Sequence, residues 1–182
     1  MFVRIRPLLM SACILLLTGC GLSHPAITVS NLTGYEKAQP DASYDPQTLA
    51  NADQVLNSLK VVDRNGQAVD LRNTNQPILF EAYWCPHCQR TLVLFQHNPV
   101  LMGAKPIVIS CGFPKNTTLK QAIAASDKEF QLLGLSGFTV YYVVNPVQLP
   151  GYPTLLFHKG QAAHVLIGEH TSAVWEQAVR ND

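Results

Sequence analysis

Two cysteines three positions apart, in Trp84-Cys85-Pro86-His87-Cys88, have the type and spacing to do chemistry. At the start of a helix such a pair occupies neighbouring points of the surface. Its Cα atoms then lie within the roughly 4.4 to 6.8 Å that a disulfide needs, so the bond opens and closes without moving the backbone. The first cysteine faces unpaired N–H groups and the positive end of the helix dipole, which favours thiolate over thiol and makes Cys85 the expected nucleophile. Cys88, one turn deeper and less accessible, is placed to attack a mixed disulfide on Cys85 and release it. Pro86 suits the first turn, where its missing N–H removes a donor that had no partner. His87 adds a donor, and when protonated a positive charge, beside the sulfur. The chemistry is thiol-disulfide exchange, with no cofactor beyond the redox-active disulfide Cys85–Cys88.

Other uses of the motif fit less well. Half of a zinc site would need two more ligands, and there is no second CxxC; Cys111 and the scattered histidines show no ligand spacing, so no metal is assigned. A purely structural disulfide across so short a loop would constrain the unfolded chain little. Cys111, at the end of an apolar run, reads as a small buried hydrophobe, with a third redox role left open. His24, His97, His158, His164 and His170 read as surface or turn residues.

The elements around the motif are legible from pattern. The run Pro77 to Tyr83 reads as a buried strand and the motif opens a helix through about His97. A second buried strand follows at 106–110, then a helix from about Thr118 to Leu133, and this order argues for a parallel pair with a crossover. The segments 155–158 and 164–167, joined by Lys159-Gly160, make a hairpin. Thr171 to Arg180 makes a closing helix that buries Val174, Trp175 and Ala178. Upstream, 48–60 forms a short amphipathic helix with Leu49, Ala52, Val55, Leu56 and Leu59 on one side. After it, Asn65-Gly66 between two alternating segments signals a hairpin. The aromatic run Phe138 to Tyr142 fits a core strand or a substrate-facing loop. The expected fold class is α/β: a central mixed sheet flanked by helices, with an N-terminal β-hairpin extension.

The chain starts as an exported one. Two arginines precede an apolar run of about ten residues, too short to cross a bilayer as a mature helix. The run ends in Leu17-Thr18-Gly19-Cys20, which resembles the bacterial lipoprotein processing box. That resemblance makes residues 1–19 a signal peptide and Cys20 the site of lipidation. Residues 20–47 are then a flexible tether and 48–182 the folded domain. Several acyl chains on one cysteine hold a protein to a membrane without a span. The expected location is the cell envelope, extracytoplasmic, and periplasmic in a Gram-negative cell. Removing 19 of the 182 residues leaves 163, enough for one domain and a tether. Without Arg4 and Arg6 the remainder carries 11 basic and 12 acidic side chains, and nothing favours nucleic acid. Cys13 leaves with the signal and Cys20 is lipidated. The thiols left, Cys85, Cys88 and Cys111, are too few for a disulfide scaffold.

From about Lys60 to Arg180 the chain resembles the thioredoxin superfamily. Phe80-Glu81-Ala82-Tyr83-Trp84-Cys85-Pro86-His87-Cys88 is similar to the family's strand, tryptophan and active-site turn, and Gly151-Tyr152-Pro153-Thr154 to its second signature. The resemblance implies a cis Pro153 packed against the cysteine pair and a Tyr152 backbone free to bind an extended substrate. It implies Trp84 as a lid over the cysteines, and a buried acid six residues before the nucleophile, where this chain has Leu79. Glu81, two residues on, either takes over that proton relay or sits at the strand's solvated end. The hairpin extension resembles membrane-anchored thioredoxin-like reductases, whereas Cys-Pro-His-Cys matches periplasmic disulfide oxidases, so direction stays open. The implied partners are thiols and disulfides of exported proteins and a membrane redox partner. A non-enzymatic envelope lipoprotein of the same fold, binding a metal or a protein, is the alternative.

Overall fold

The computed structural model describes residues 39–147 and 149–180; the expected signal peptide, Cys20 and the first part of the expected tether lie outside the described residues. One six-stranded sheet organises the chain: β1 (Gln47–Thr48), β2 (Ile78–Ala82), β3 (Ile107–Cys111), β4 (Thr139–Tyr142), β5 (Thr154–Lys159) and β6 (Ala162–Ile167), in the order β1-β6-β5-β2-β3-β4. β2, β3 and β4 are parallel neighbours, whereas β5, β6 and β1 add antiparallel strands on the other side of β2. The architecture is therefore α/β with a mixed sheet.

β2 is central and all five of its residues are buried, which is why it reads as an unbroken apolar run with one acid in it. One face of the sheet carries Leu79, Val108, Leu155 and Phe157. Helix α2 (Pro86–His97) covers this face through Leu92 and Phe95, and α5 (Ser172–Val179) covers it through Val174 and Trp175. The short α3 (Pro99–Gly103) and the long α4 (Leu119–Leu133) complete this layer. The other face carries Phe80, Ile109 and Leu156 under Leu56 and Leu59 of α1 (Ala52–Ser58) and the segment that follows it. Thr118 and Gln121 close a capping box at the start of α4, and Gly134 ends the helix at φ 65. Among the described residues no helix is long and apolar enough to cross a membrane.

Three expectations differ from what the fold contains. The first helix begins only at Ala52, because Gln47 and Thr48 pair with Val165 and His164 and Leu49 donates to the Ala163 carbonyl at 2.8 Å. Asp41, read as tether, is likewise bridged to His170. The pairing about Asn65-Gly66 is short, one bridge from Val62 to Ala68 with Val69 donating to the Val61 carbonyl at 3.0 Å and Asp63 to the Gln67 carbonyl at 2.9 Å. Asp63 closes that turn by accepting the N–H groups of Asn65 and Gln67, each at 2.8 Å. Val62, paired with Ala68 in that bridge, points its own N–H and carbonyl the other way and exchanges both backbone hydrogen bonds with Tyr142, at 2.9 and 3.0 Å, and so covers the free edge of β4. Finally, His170 is no surface residue: it is 2 % exposed, with its ring edge-on to Trp175 at 5.0 Å and Nε2 3.2 Å from the Ile167 carbonyl. The Phe138 to Tyr142 run resolves into edge strand β4.

Candidate active site

β2 delivers the cysteine motif to the carboxyl end of the parallel strands. Tyr83 and Trp84 make the turn, Cys85 is the N-cap of α2 in extended conformation, and Pro86 is the first helical residue. The Cys85 N–H donates to the Ala82 carbonyl at 2.7 Å, which ties the turn to the strand it leaves. The two thiols share one helical turn but not one environment. Cys88 is fully buried against Ala82 and Tyr152. Its thiol is pushed up by burial and by the charge of Cys85. The Cys85 thiol is held down to about 6, chiefly by its hydrogen bond with Cys88; burial opposes this, and the backbone N–H groups of Cys88 and His87 add to it. The arrangement is one stabilised thiolate at the rim and one protonated thiol behind it.

The loop before β5 faces this pair. The Tyr152–Pro153 peptide is cis, and the Tyr152 carbonyl oxygen lies 3.9 Å from Cys85 Sγ. Gly168 donates to the Pro153 carbonyl at 2.7 Å, fixing the loop to the end of β6. Trp84 is 46 % exposed beside the pair: its indole N–H donates to the Gly112 carbonyl at 2.9 Å and its ring meets Tyr152 edge-on at 6.2 Å. Gly112, a residue the motif reading missed, has φ +69, and a Cβ there would stand 2.8 Å from Ala82 Cβ and 3.3 Å from the Tyr152 hydroxyl. Only glycine lets this backbone approach the site so closely. Cys111 is fully buried beneath, its thiol donating to the Glu81 carbonyl at 3.2 Å and lying 3.7 Å from the Tyr152 hydroxyl. Burial pushes that thiol up to about 12, so it stays protonated.

Glu81 is fully buried, which excludes the solvated strand end. Neither carboxylate oxygen reaches hydrogen-bond geometry with a donor. Burial pushes its pKa up to about 8; Ser110, its register partner on β3, offsets this in part, and Cys85 adds to it. An acid poised near neutrality thus lies within electrostatic reach of both motif cysteines.

On the outer side, His87 Nδ1 lies 2.8 Å from Glu169 Oε2, and Arg90 grips the same carboxylate through Nε at 2.8 Å and through Nη2. Arg90 Nη2 also lies 3.0 Å from His87 Nδ1. Arg90 follows His87 by one helical turn, a spacing visible in sequence. Glu169, from the turn after β6, gave no signal. Removing one member of a buried pair leaves the other charge uncompensated. Glu169→Ala is therefore expected to lower stability by about 2 to 3 kcal/mol, below a fully buried pair because Arg90 keeps 19 % of its side chain in water. The double change Glu169→Leu with Arg90→Met should recover most of that. Denaturant midpoints check it, and an unchanged midpoint in Glu169→Ala would show that the turn is held by other contacts.

An open cleft of about 930 Å³ lies at the opposite end of the sheet, around the β5–β6 turn, and contains none of these residues. Among the described residues no group of three His, Cys, Asp or Glu side chains is placed to hold a metal ion. Neither a protein-family model nor a curated protein matches the chain.

Proposed function

We propose that this chain is a thiol-disulfide oxidoreductase of the thioredoxin superfamily, in which Cys85 attacks, Cys88 resolves, and the Tyr152–Pro153 loop with Trp84 receives the substrate. More particularly, we read it as a lipoprotein: exported, carried on the membrane by acyl chains on Cys20, and exchanging disulfides with other exported proteins and a membrane redox partner. The observation that carries the reading is the opposite treatment of two thiols in one helical turn, Cys85 held down to about 6 and Cys88 pushed up. A structural disulfide needs no such split, whereas exchange needs a ready nucleophile and a resolving thiol that waits.

The remaining support is positional. A thioredoxin fold accounts for the central β2 with the motif after it, the parallel β3, the antiparallel β5–β6 hairpin and the closing α5. It also accounts for the Tyr152 carbonyl standing before Cys85. Direction follows from how strongly the thiolate is favoured. A thiol near 6 lies between thioredoxin, near 7, and the strongest disulfide oxidase, near 3.5. The reduction potential of the Cys85–Cys88 pair should therefore fall between about −270 and −120 mV. Equilibration of the purified chain with glutathione buffers measures it. A value below about −300 mV, where structural disulfides lie, would defeat the exchange reading.

A further inference from the structure

We propose that Glu129 forms a buried carboxyl pair with Glu81, and that the pair holds the proton Cys88 gives up on attacking the mixed disulfide, returning it when the disulfide reopens. This rests on the exchange chemistry proposed above and adds a residue to it.

The placement is geometric. Ala122, Ser126 and Glu129 repeat at helical spacing and are the buried face of α4. Ser126 lies against Tyr142, Tyr142 is in register with Ser110, and Ser110 with Glu81, so α4 crosses the strands at the level of Glu81. Glu81 shares its sheet face with Leu79, the face that α2 and α4 cover. Glu129, like Glu81, is 0 % exposed, and neither of its carboxylate oxygens has a hydrogen-bond partner. Gln89 Oε1 and Thr91 Oγ1 are buried without partners as well. Folded proteins bury few such atoms, because each lost its water without gaining a partner. Unpartnered carboxyls in a packed layer have no structural use that a leucine would not serve better. The layer is polar enough to hold water, which would complete the proton path.

The charges agree with that placement. Burial raises both carboxyls, and Glu129 is raised further by Glu81 and by Cys85. Among the described residues the titratable groups coupled to Glu81 are Cys85, Cys88, Cys111, Tyr152 and Glu129, all acids. The Arg90 guanidinium and the His87 ring are engaged by Glu169, and the α4 neighbours Asp127 and Lys128 are exposed. Two buried carboxyls with no cation facing Glu81 among the described residues do not both ionise, so they titrate as a pair. In the step itself, the Cys88 proton passes to the ionised member. The electron pair left on Cys88 Sγ forms the bond to Cys85 Sγ, and the bond from Cys85 to the substrate sulfur breaks, its electrons leaving on the substrate thiolate. The dithiol is oxidised and the substrate disulfide reduced. Glu129 acts through Glu81, as a positioning residue.

The test uses the full reduced chain and dithiobis-nitrobenzoate, an aromatic disulfide whose thiol is coloured, mixed by stopped flow across pH. The first thiol released reports Cys85 and the second reports Cys88. Glu129→Gln should leave the first release within about twofold, slow the second about tenfold or more, and remove one inflection from its pH profile; Glu129→Asp should restore that inflection. A second release with unchanged rate and profile in Glu129→Gln overturns the pair while leaving the exchange reading intact. No second release from the unsubstituted chain overturns the exchange reading itself. Infrared difference spectra of the unsubstituted chain on disulfide closure need no variant: two protonated-carboxyl bands changing together are expected, and a single band overturns the pair.

Discussion

Replacing Cys88 with alanine should leave the chain covalently attached to its substrates. Cys85 keeps its place at the start of α2, where the backbone N–H groups of residues 87 and 88 still favour its thiolate, so attack on a substrate disulfide continues. Release does not. The intramolecular attack by Cys88 has an effective concentration far above that of thiols in solution, so losing it should slow release on the order of 10³-fold or more. Mixed disulfides with envelope proteins then accumulate, resolved by non-reducing electrophoresis and collapsed by dithiothreitol. Cys85→Ser should abolish them, since the deeper thiol is buried and held protonated. The removal of the hydrogen bond from Cys88 should also raise the Cys85 thiol towards its ordinary value. Thiolate absorbance against pH reads that directly. A Cys88→Ala chain that traps nothing in cells, while its Cys85 still reacts with small disulfides, would move the substrate away from exported proteins.

A second large effect concerns how stability varies with pH. Glu81 has its folded pKa raised, from an ordinary 4.5 to about 8. For an acid raised on folding, the stability it permits is fully present below about pH 4.5 and is lost as pH rises through about 8, because only the unfolded chain ionises it freely in between. At about 1.4 kcal/mol per pKa unit, the loss is on the order of a few kcal/mol. Glu81→Gln carries no titration there, so its stability relative to the unsubstituted chain should grow from pH 5 to pH 8. Glu129, raised for the same reason, keeps a slope of the same sign in the variant. Cys85 works the other way: its lowered pKa contributes stability above about 9 that is lost as pH falls through about 6. Denaturant midpoints on the oxidised chain remove the cysteine titration and isolate the carboxyls. Parallel pH curves for Glu81→Gln and the unsubstituted chain would mean that Glu81 is solvated in solution. The same substitution should slow closure of the Cys85–Cys88 disulfide roughly a hundredfold, the low end for a positioned proton acceptor.

What could be read without a fold was whatever short stretches of chain determine locally. The continuous apolar runs of β2 and β3, the helix started by Pro86, and the Thr118 cap with the Gly134 stop all depend on neighbours within a few positions, and their limits agree with the sequence within a residue or two. The cysteine spacing is of the same kind, since three positions on a helix fix a distance. The sequence therefore determined which atoms are able to react.

The tertiary structure decided how each would be tuned. Glu169 reaches His87 and Arg90 across about 80 positions of chain only because β6 returns beside β5 and ends at the motif. Glu129 follows the exposed Asp127 and Lys128, and only the rotation of α4 against β3 and β4 turns it inward. His170 was legible as a turn residue and became part of the core because Trp175, one turn on in α5, packs against it. Val62 pairs with Ala68 in its own turn and also bonds the edge of β4, a second partner no local pattern records. The physical reason is common to all four. Period and capping act over one or two turns, whereas desolvation and Coulomb coupling act through space, between groups that only the closed sheet and its helices bring together.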